Sequence, residues 1–338
     1  MIVEMKTGVS QEEIDAVVQK ARSLNLGVQI NQGTDKTVVA LLGSNTGQLP
    51  TDIFAVLPGV ESVTRIMKPY KLASREVRPG DTVFTCGGVE IGGKRIVVMA
   101  GPCAVESGEQ LMEAAVAAKR AGASILRGGA FKPRTSPFSF QGLQKAGLEL
   151  LAQAREQLGM PVVTEVVDSK DVRLVSGYAD ILQVGSRNMQ NFALLTDVGK
   201  SRHPVVLKRG FACTITEWLT AADYLLAEGN NQVILCERGI RTFEDSVRFS
   251  LDISSLPVIK KSSHLPVIVD PSHAAGHYSL VPAIAKAAVA AGADGLLIEV
   301  HPNPKEALVD GLQSLSLSDF ARLTKELRPI ARAIGRDI

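Results

Sequence analysis

Cysteine is scarce in this chain. Cys86, Cys103, Cys213 and Cys236 are widely spaced and form no CxxC pair. That excludes a disulfide framework and suits a reducing compartment. Aromatic residues are only 4% of the sequence. The basic residues are not interleaved with them, so the stacking platforms that hold single-stranded nucleic acid are missing. A net charge of +2 gives no global field for nucleic acid or a membrane surface. No uncharged apolar run approaches bilayer-spanning length. At the N-terminus, MIVEMKTG places Glu4 and Lys6 where a secretory leader needs an apolar core. A cytoplasmic protein is expected, without nucleic-acid or membrane partners.

What is present is a chain of 338 residues, 45% hydrophobic and 21% charged, long enough for one large core and a small companion. Residues 1–67 read as a βαββαβ unit. A strand at 2–6 leads to a helix opened by the capping box Ser10 and Glu13. Ile14, Val17, Val18, Ala21 and Leu24 then recur at helical spacing. Strands follow at 28–30 and 37–42, then a short helix at 51–57 and a strand at 60–66. This is the order of a ferredoxin-like α+β domain. It holds neither His nor Cys, so packing, oligomerisation or ligand-dependent regulation is its expected role. Residues 68–94 are expected to be a linker and a β-hairpin around Gly87-Gly88 and Gly92-Gly93, covering the bottom of what comes next.

From Arg95 the pattern becomes monotonous. Apolar runs lie at 96–100, 124–126, 161–165, 181–184, 204–207, 232–236, 266–269 and 295–299. Amphipathic segments separate most of them, one capped by Ser107 with Gln110 and another by Thr214 with Glu217. A closing helix is expected at 318–334, capped by Ser318. Val- and Ile-rich runs without alternation suit parallel strands buried on both faces. Eight of them alternating with helices predict a (β/α)8 TIM barrel over 95–338. A doubly wound open sheet is the alternative, but no GxGxxG follows the first run.

In such a barrel, chemistry sits at the C-terminal ends of the strands. Every run here ends in polar or ionisable groups. The densest stretch is 124–137, SILRGGAFKPRTSP, where an apolar strand turns into a cationic loop suited to phosphate or carboxylate oxygens. Arg127, Lys132, Arg134, Arg187, Lys208 and Arg238 make a cationic rim that calls for more than one anionic group. Cys103, His273, Glu299 and Asp310 are ligand types for a divalent ion such as Mn²⁺, Fe²⁺, Co²⁺ or Zn²⁺. They fall at the ends of strands one, seven and eight, which barrel closure makes neighbours. His301 and His264 compete for the imidazole position.

The motifs GPC at 101–103, LRGGAFKPRTSPFSFQG at 126–142, Gly-Ser-Arg-Asn at 185–188, LKRG at 207–210, CERGIRTF at 236–243, DPSHAAG at 270–276 and EVHPNP at 299–304 resemble the 3-deoxy-D-arabino-heptulosonate 7-phosphate (DAHP) synthases. The form is the short microbial one with an N-terminal ferredoxin-like regulatory domain, and the resemblance runs over essentially the whole chain. Its most specific motif is Lys132-Pro133-Arg134-Thr135-Ser136. The sister 3-deoxy-octulosonate 8-phosphate synthases typically carry Lys-Ala-Asn-Arg-Ser there.

The resemblance implies condensation of phosphoenolpyruvate (PEP) with erythrose 4-phosphate, the entry to the shikimate pathway. It implies that Arg127, Lys132, Arg187, Lys208 and Arg238 hold PEP, and that Arg134, Thr135, Ser136 and Ser186 hold the aldose phosphate. Cys103, His273, Glu299 and Asp310 would carry the metal. Lys132, Glu165 and Asp270 are the expected proton-handling and water-positioning groups. It further implies a homotetramer and feedback by tyrosine or phenylalanine. Gln29 and Asn31 stand where some inhibited relatives carry His and Ser. Two other readings are an octulosonate synthase using arabinose 5-phosphate and a non-catalytic barrel that binds a phosphorylated metabolite.

Overall fold

Several helix starts in this chain are fixed by short side-chain caps. Ser10 Oγ accepts the Glu13 amide while Glu13 returns to the Ser10 amide at 2.9 Å, so the first turn is satisfied at both ends. The computed structural model describes residues 1–33, 36–43, 46, 49–65, 68–133 and 136–338. It divides into two compact units, Met1–Gly80 with Ser262–His264, and Asp81–Lys261 with Leu265–Ile338.

The first unit runs β1 (Ile2–Met5), α1 (Gln11–Ser23), β2 (Gly27–Gln32), β3 (Thr37–Leu42), α2 (Asp52–Ala55) and β4 (Val60–Thr64). The sheet is antiparallel with order β2-β3-β1-β4, the ferredoxin-like arrangement. Ile14, Val17, Val18 and Ala21 of α1 pack on Val3, Met5, Val39 and Leu41. Residues 66 and 67, where the last strand is expected to end, lie outside the described residues.

The second unit begins with a hairpin, β5 (Phe84–Cys86) and β6 (Val89–Ile91), and continues into eight parallel strands. These are β7 (Val97–Gly101), β8 (Ile125–Arg127), β9 (Val162–Glu165), β10 (Ile181–Val184), β11 (Val205–Lys208), β12 (Val233–Glu237), β13 (Val267–Val269) and β14 (Gly295–Glu299). They form a closed barrel, with β14 pairing β7 from Gly295↔Val97 to Glu299↔Gly101. The connecting helices are α3 (Gly108–Ala121), α4 (Lys145–Leu158), α5 (Val172–Ser176), α6 (Phe192–Lys200), α7 (Ile215–Ala227), α8 (Ser255–Ser262), α9 (Pro271–Ala275) and α10 (Val281–Ala290). The closing helix is α11 (Leu317–Ala333). The open-sheet alternative is therefore excluded.

Met99, Ile125, Val163, Val206, Ile234 and Ile268 fill the barrel interior, and Cys86 and Ile91 of the hairpin join the same cluster. Gly87 lies against Pro161 at the entrance to β9. The hairpin therefore closes the N-terminal end of the barrel.

Two sequence expectations shift. Six of the eight strands begin one residue later than their apolar runs. Three of those runs open on Pro161, Pro204 and Pro266, which lack the N–H a ladder needs. At the other end Arg127, Lys208 and Glu237 continue the ladder, pairing with Val163, Cys236 and Val269. The cap of α11 is Ser316, whose Oγ accepts the Asp319 amide at 3.1 Å, rather than Ser318. Among the described residues, no helix is long and apolar enough to cross a membrane.

Candidate active site

Two loops, one strand end and one short helix bring four donor groups together at the C-terminal end of the barrel. Cys103 follows β7, Glu299 is the last residue of β14, and Asp310 sits in the loop beyond it at φ 55°. His273 lies on α9, where Asp270 caps the helix by accepting the His273 amide at 2.9 Å. The four donor atoms all lie within 4.8 Å of one another. His273 Nε2 is 3.5 Å from Glu299 Oε1 and 3.7 Å from Asp310 Oδ2. Cys103 Sγ is 3.5 Å from Asp310 Oδ2. On the far side of the ring, His273 Nδ1 is 2.7 Å from Asp270 Oδ2, the carboxylate–imidazole arrangement that fixes a ligating histidine. One thiol, one imidazole and two carboxylates at this spacing fit a divalent transition ion, with metal–ligand bonds of roughly 2.0–2.3 Å.

The two rival histidines are engaged elsewhere. His301 Nε2 is 3.3 Å from Glu106 Oε2 while its Nδ1 accepts the Asn303 amide. His264 is buried against the Leu72 carbonyl at 2.8 Å. Neither belongs to the four-donor cluster.

Charge in the cluster is held by neighbours. Burial pushes the Glu299 carboxyl up, but His273 and Arg127 bring it below the usual range. Burial also opposes ionisation of Asp310, yet His273 and Arg248 pull it down. Burial raises the Cys103 thiol to about 12, with Glu299 adding to the rise and Lys132 opposing it. Asp270 is buried too, but His273 and Lys208 hold it well below the carboxylate range.

The cations stand close by. Arg127 is buried in the wall, donating from Nη1 to the Pro102 carbonyl at 2.6 Å and to Glu299 Oε1 at 3.2 Å. Lys132 Nζ is 3.1 Å from Cys103 Sγ. Gly129 makes that possible, since a Cβ there would stand 2.7 Å from the Cys103 carbonyl and 2.9 Å from Lys132 Cδ. Lys208 Nζ donates to Asp270 Oδ2 at 2.5 Å. Arg187 lies over the Phe211 ring at 5.3 Å, and Arg238 lies over the Phe249 ring at 4.1 Å. Burial lowers Arg238 to about 10.

Lys132, Arg187, Lys208 and Arg238 face a cleft of about 250 Å³, together with Ser136, Glu165, Ser186, His273 and Asp310. Among the described residues, three buried polar atoms in its lining, Arg238 Nη1, Ser186 Oγ and His273 Nδ1, make no hydrogen bond of good geometry, the last despite its short distance to Asp270. Buried groups left this way are rare unless a ligand completes them. Glu165 Oε2 accepts from Gln183 Nε2 at 3.1 Å. Arg134 and Thr135 lie outside the described residues. Gln29 and Asn31 are half-buried on β2 of the first unit, in register with Ala40 and Val38.

Sequence reasoning misses four residues. Phe211, Arg248 and Phe249 line the cleft, and Gln313 backs it. None stands directly at a strand end, so the strand-end test passes over them. The one available signal is the Arg-Phe pair at 248–249, in a chain with few aromatics.

Comparison with known proteins is direct. The family model described as DAHP synthetase I family matches residues 81–333, and the DAHP synthase ferredoxin-like domain matches residues 1–68. The phospho-2-dehydro-3-deoxyheptonate aldolase of Thermotoga maritima is 50% identical over 335 residues, 99% of each chain. A crystal structure of that Thermotoga enzyme, a DAHP synthase, covers 99% of this chain and 98% of its own, at 49% identity and a TM-score of 0.80. A truncated form of the Thermotoga DAHP synthase covers 80% of this chain and 99% of its own, at 47% identity and a TM-score of 0.75. The 2-dehydro-3-deoxyphosphooctonate aldolase of Geobacter sulfurreducens is 31% identical over 266 residues, 73% of this chain and 97% of its own.

Proposed function

The chain belongs to the DAHP synthetase I family, and on that premise we propose that it condenses PEP with erythrose 4-phosphate and water, giving DAHP and inorganic phosphate. The observation that carries this reading is one cleft lined by five cations, by three buried polar atoms without a hydrogen bond among the described residues, and by His273 and Asp310 of the four-donor cluster. Two phosphates and a carboxylate match that excess of positive charge. A site for a single monoanion would not require it.

Arg187, Lys208 and Arg238 bind the phosphate and carboxylate of PEP, with Lys132 at its inner edge. Arg127 holds Glu299 in place and adds positive charge beneath the substrate. Ser136 and Ser186, with Arg134 and Thr135, take the aldose phosphate. Cys103, His273, Glu299 and Asp310 would hold a divalent ion, which would supply Lewis acidity for the aldehyde oxygen. Mn²⁺, Fe²⁺, Co²⁺ and Zn²⁺ all suit the donor set.

C3 of PEP attacks the aldehyde carbon, and the electron pair of the C=O bond moves to oxygen. Lys132, beside the cluster, donates a proton to that oxygen. Positive charge develops at C2 of PEP, water adds there, and the C–O bond to phosphate breaks. Glu165 orients this water, since its carboxylate faces the cleft and is held by Gln183. Asp270 is committed to Lys208 and His273, which makes it a positioning group.

The first unit is proposed to be regulatory, binding tyrosine or phenylalanine near Gln29 and Asn31. Within that unit, residues 1–67 are proposed as the regulatory domain, with 68–94 as linker and hairpin and 95–338 as the barrel. A cytoplasmic homotetramer follows from the same family reading. The test is PEP consumption with erythrose 4-phosphate and, separately, with arabinose 5-phosphate. Turnover with the four-carbon sugar alone supports the reading. Turnover with the five-carbon sugar would make the chain an octulosonate synthase. No turnover with either would leave a phosphometabolite-binding barrel.

A further inference from the structure

The loop after β12 is closed on itself at residues 240–250. Ile240 and Ser250 exchange both backbone hydrogen bonds, at 2.9 and 3.0 Å, and the Ser250 hydroxyl also joins that of Thr242 at 2.8 Å. Its return arm lies on α9, where the Phe249 amide donates to the Ala274 carbonyl at 3.0 Å. Gly239, at φ 86°, lets the arm pass, because a Cβ there would stand 2.6 Å from Phe249 Cβ. Two adjacent side chains on this arm point to different halves of the site.

Arg248 reaches the four-donor cluster. Its Nη1 is 3.1 Å from Asp310 Oδ1 and donates to Gln313 Oε1 at 2.6 Å. Gln313 in turn donates from Nε2 to Glu299 Oε2 at 2.6 Å. Arg248 thus holds one carboxylate directly and the other through Gln313. Phe249 reaches the cationic half. Its ring stacks on Phe211 at 5.1 Å between centroids and 7° between planes. Arg238 lies over both rings, at 4.1 Å from Phe249 and 4.9 Å from Phe211.

Aromatic faces attract a guanidinium without neutralising it and without consuming its N–H donors. A carboxylate partner would do both. That accounts for Arg238 Nη1 being buried yet unbonded among the described residues: the charge is anchored and its donor is left for an anion.

We propose that Arg248 and Phe249 are paired positioning residues on one closed loop, Arg248 for the metal-binding carboxylates and Phe249 for the phosphate-binding Arg238. The proposal rests on the reading of the site given above. Outer-sphere partners of metal ligands typically change metal affinity by about 10–100-fold. Loss of a buried cation–π contact is expected to change anion affinity by about tenfold.

The test uses the full-length chain and two binding measurements that need no turnover. Mn²⁺ is titrated into chelator-stripped protein, and inorganic phosphate into Mn²⁺-loaded protein, by calorimetry. Arg248→Ala is expected to raise the Mn²⁺ Kd at least about tenfold while the phosphate Kd of the loaded protein moves little. Phe249→Leu is expected to raise the phosphate Kd about tenfold with the Mn²⁺ Kd unchanged, and Phe249→Tyr, which keeps the ring, to restore phosphate binding. A general packing defect would move both constants together and would not distinguish Tyr from Leu. Unmoved constants in both variants, or a shared shift in both, would overturn the proposal while leaving the site itself intact. Wild-type protein that binds neither Mn²⁺ nor phosphate would remove the site and the positioning roles together.

Discussion

The two ends of the barrel are made by the same eight strands and differ in whether their polar groups are satisfied. At the N-terminal end, Asp180 Oδ2 accepts the Val162 amide at 2.8 Å and Asp294 Oδ2 accepts the Val267 amide at 2.8 Å. Asp294 is paired again by Lys260 and Arg336. The apolar hairpin seals that end with Ile91 and Cys86. At the C-terminal end, Arg238 and Ser186 keep buried atoms with no hydrogen bond among the described residues, and four ligand-type side chains converge. Completed hydrogen bonds serve stability, whereas incomplete ones are costly unless a ligand finishes them. The same scaffold therefore separates holding itself together from holding substrate.

That contrast predicts opposite phenotypes for mutations at the two ends. The largest effect is expected at the cluster: His273→Ala should lower kcat by about 10³-fold, roughly 4 kcal/mol, with the protein still folded by circular dichroism. Next, Ile91→Ala, which truncates a side chain with 0% exposure, should cost about 3 kcal/mol of stability in urea unfolding and leave the kcat of the folded enzyme unchanged. If Ile91→Ala impaired turnover while stability held, the division between the ends would be wrong. Lys132→Met should slow turnover by about 10²-fold, and near-normal turnover would remove the proton-donor role. The smallest effect on turnover is expected from deleting residues 1–67, which should leave activity in place and abolish inhibition by tyrosine or phenylalanine. A truncated form that stayed inhibitable would move the effector site into the barrel.

The barrel was legible because its strands are continuous apolar runs, and the strand-end rule brought Cys103, His273, Glu299 and Asp310 into one neighbourhood. The choice among histidines needed the structure. Asp270 caps α9 and turns His273 inward, while His301 is tied to Glu106. The sequence misplaces strand limits where charge follows apolar residues. Lys208 and Glu237 look like loop residues, but their side chains are buried in pairs with Asp270 and Arg209. Arg248 and Phe249 were illegible for a different reason. Their loop is shaped by a two-residue bridge and by contacts with α9, neither of which leaves a periodic trace in the sequence.

The most direct single measurement is PEP consumption with erythrose 4-phosphate by the full-length chain, first in EDTA and then after Mn²⁺ is added back. Turnover abolished by EDTA and restored by Mn²⁺ is the predicted result. Undiminished turnover after prolonged chelation, or in Cys103→Ala, would contradict the assignment of the four-donor cluster as the metal centre of the reaction.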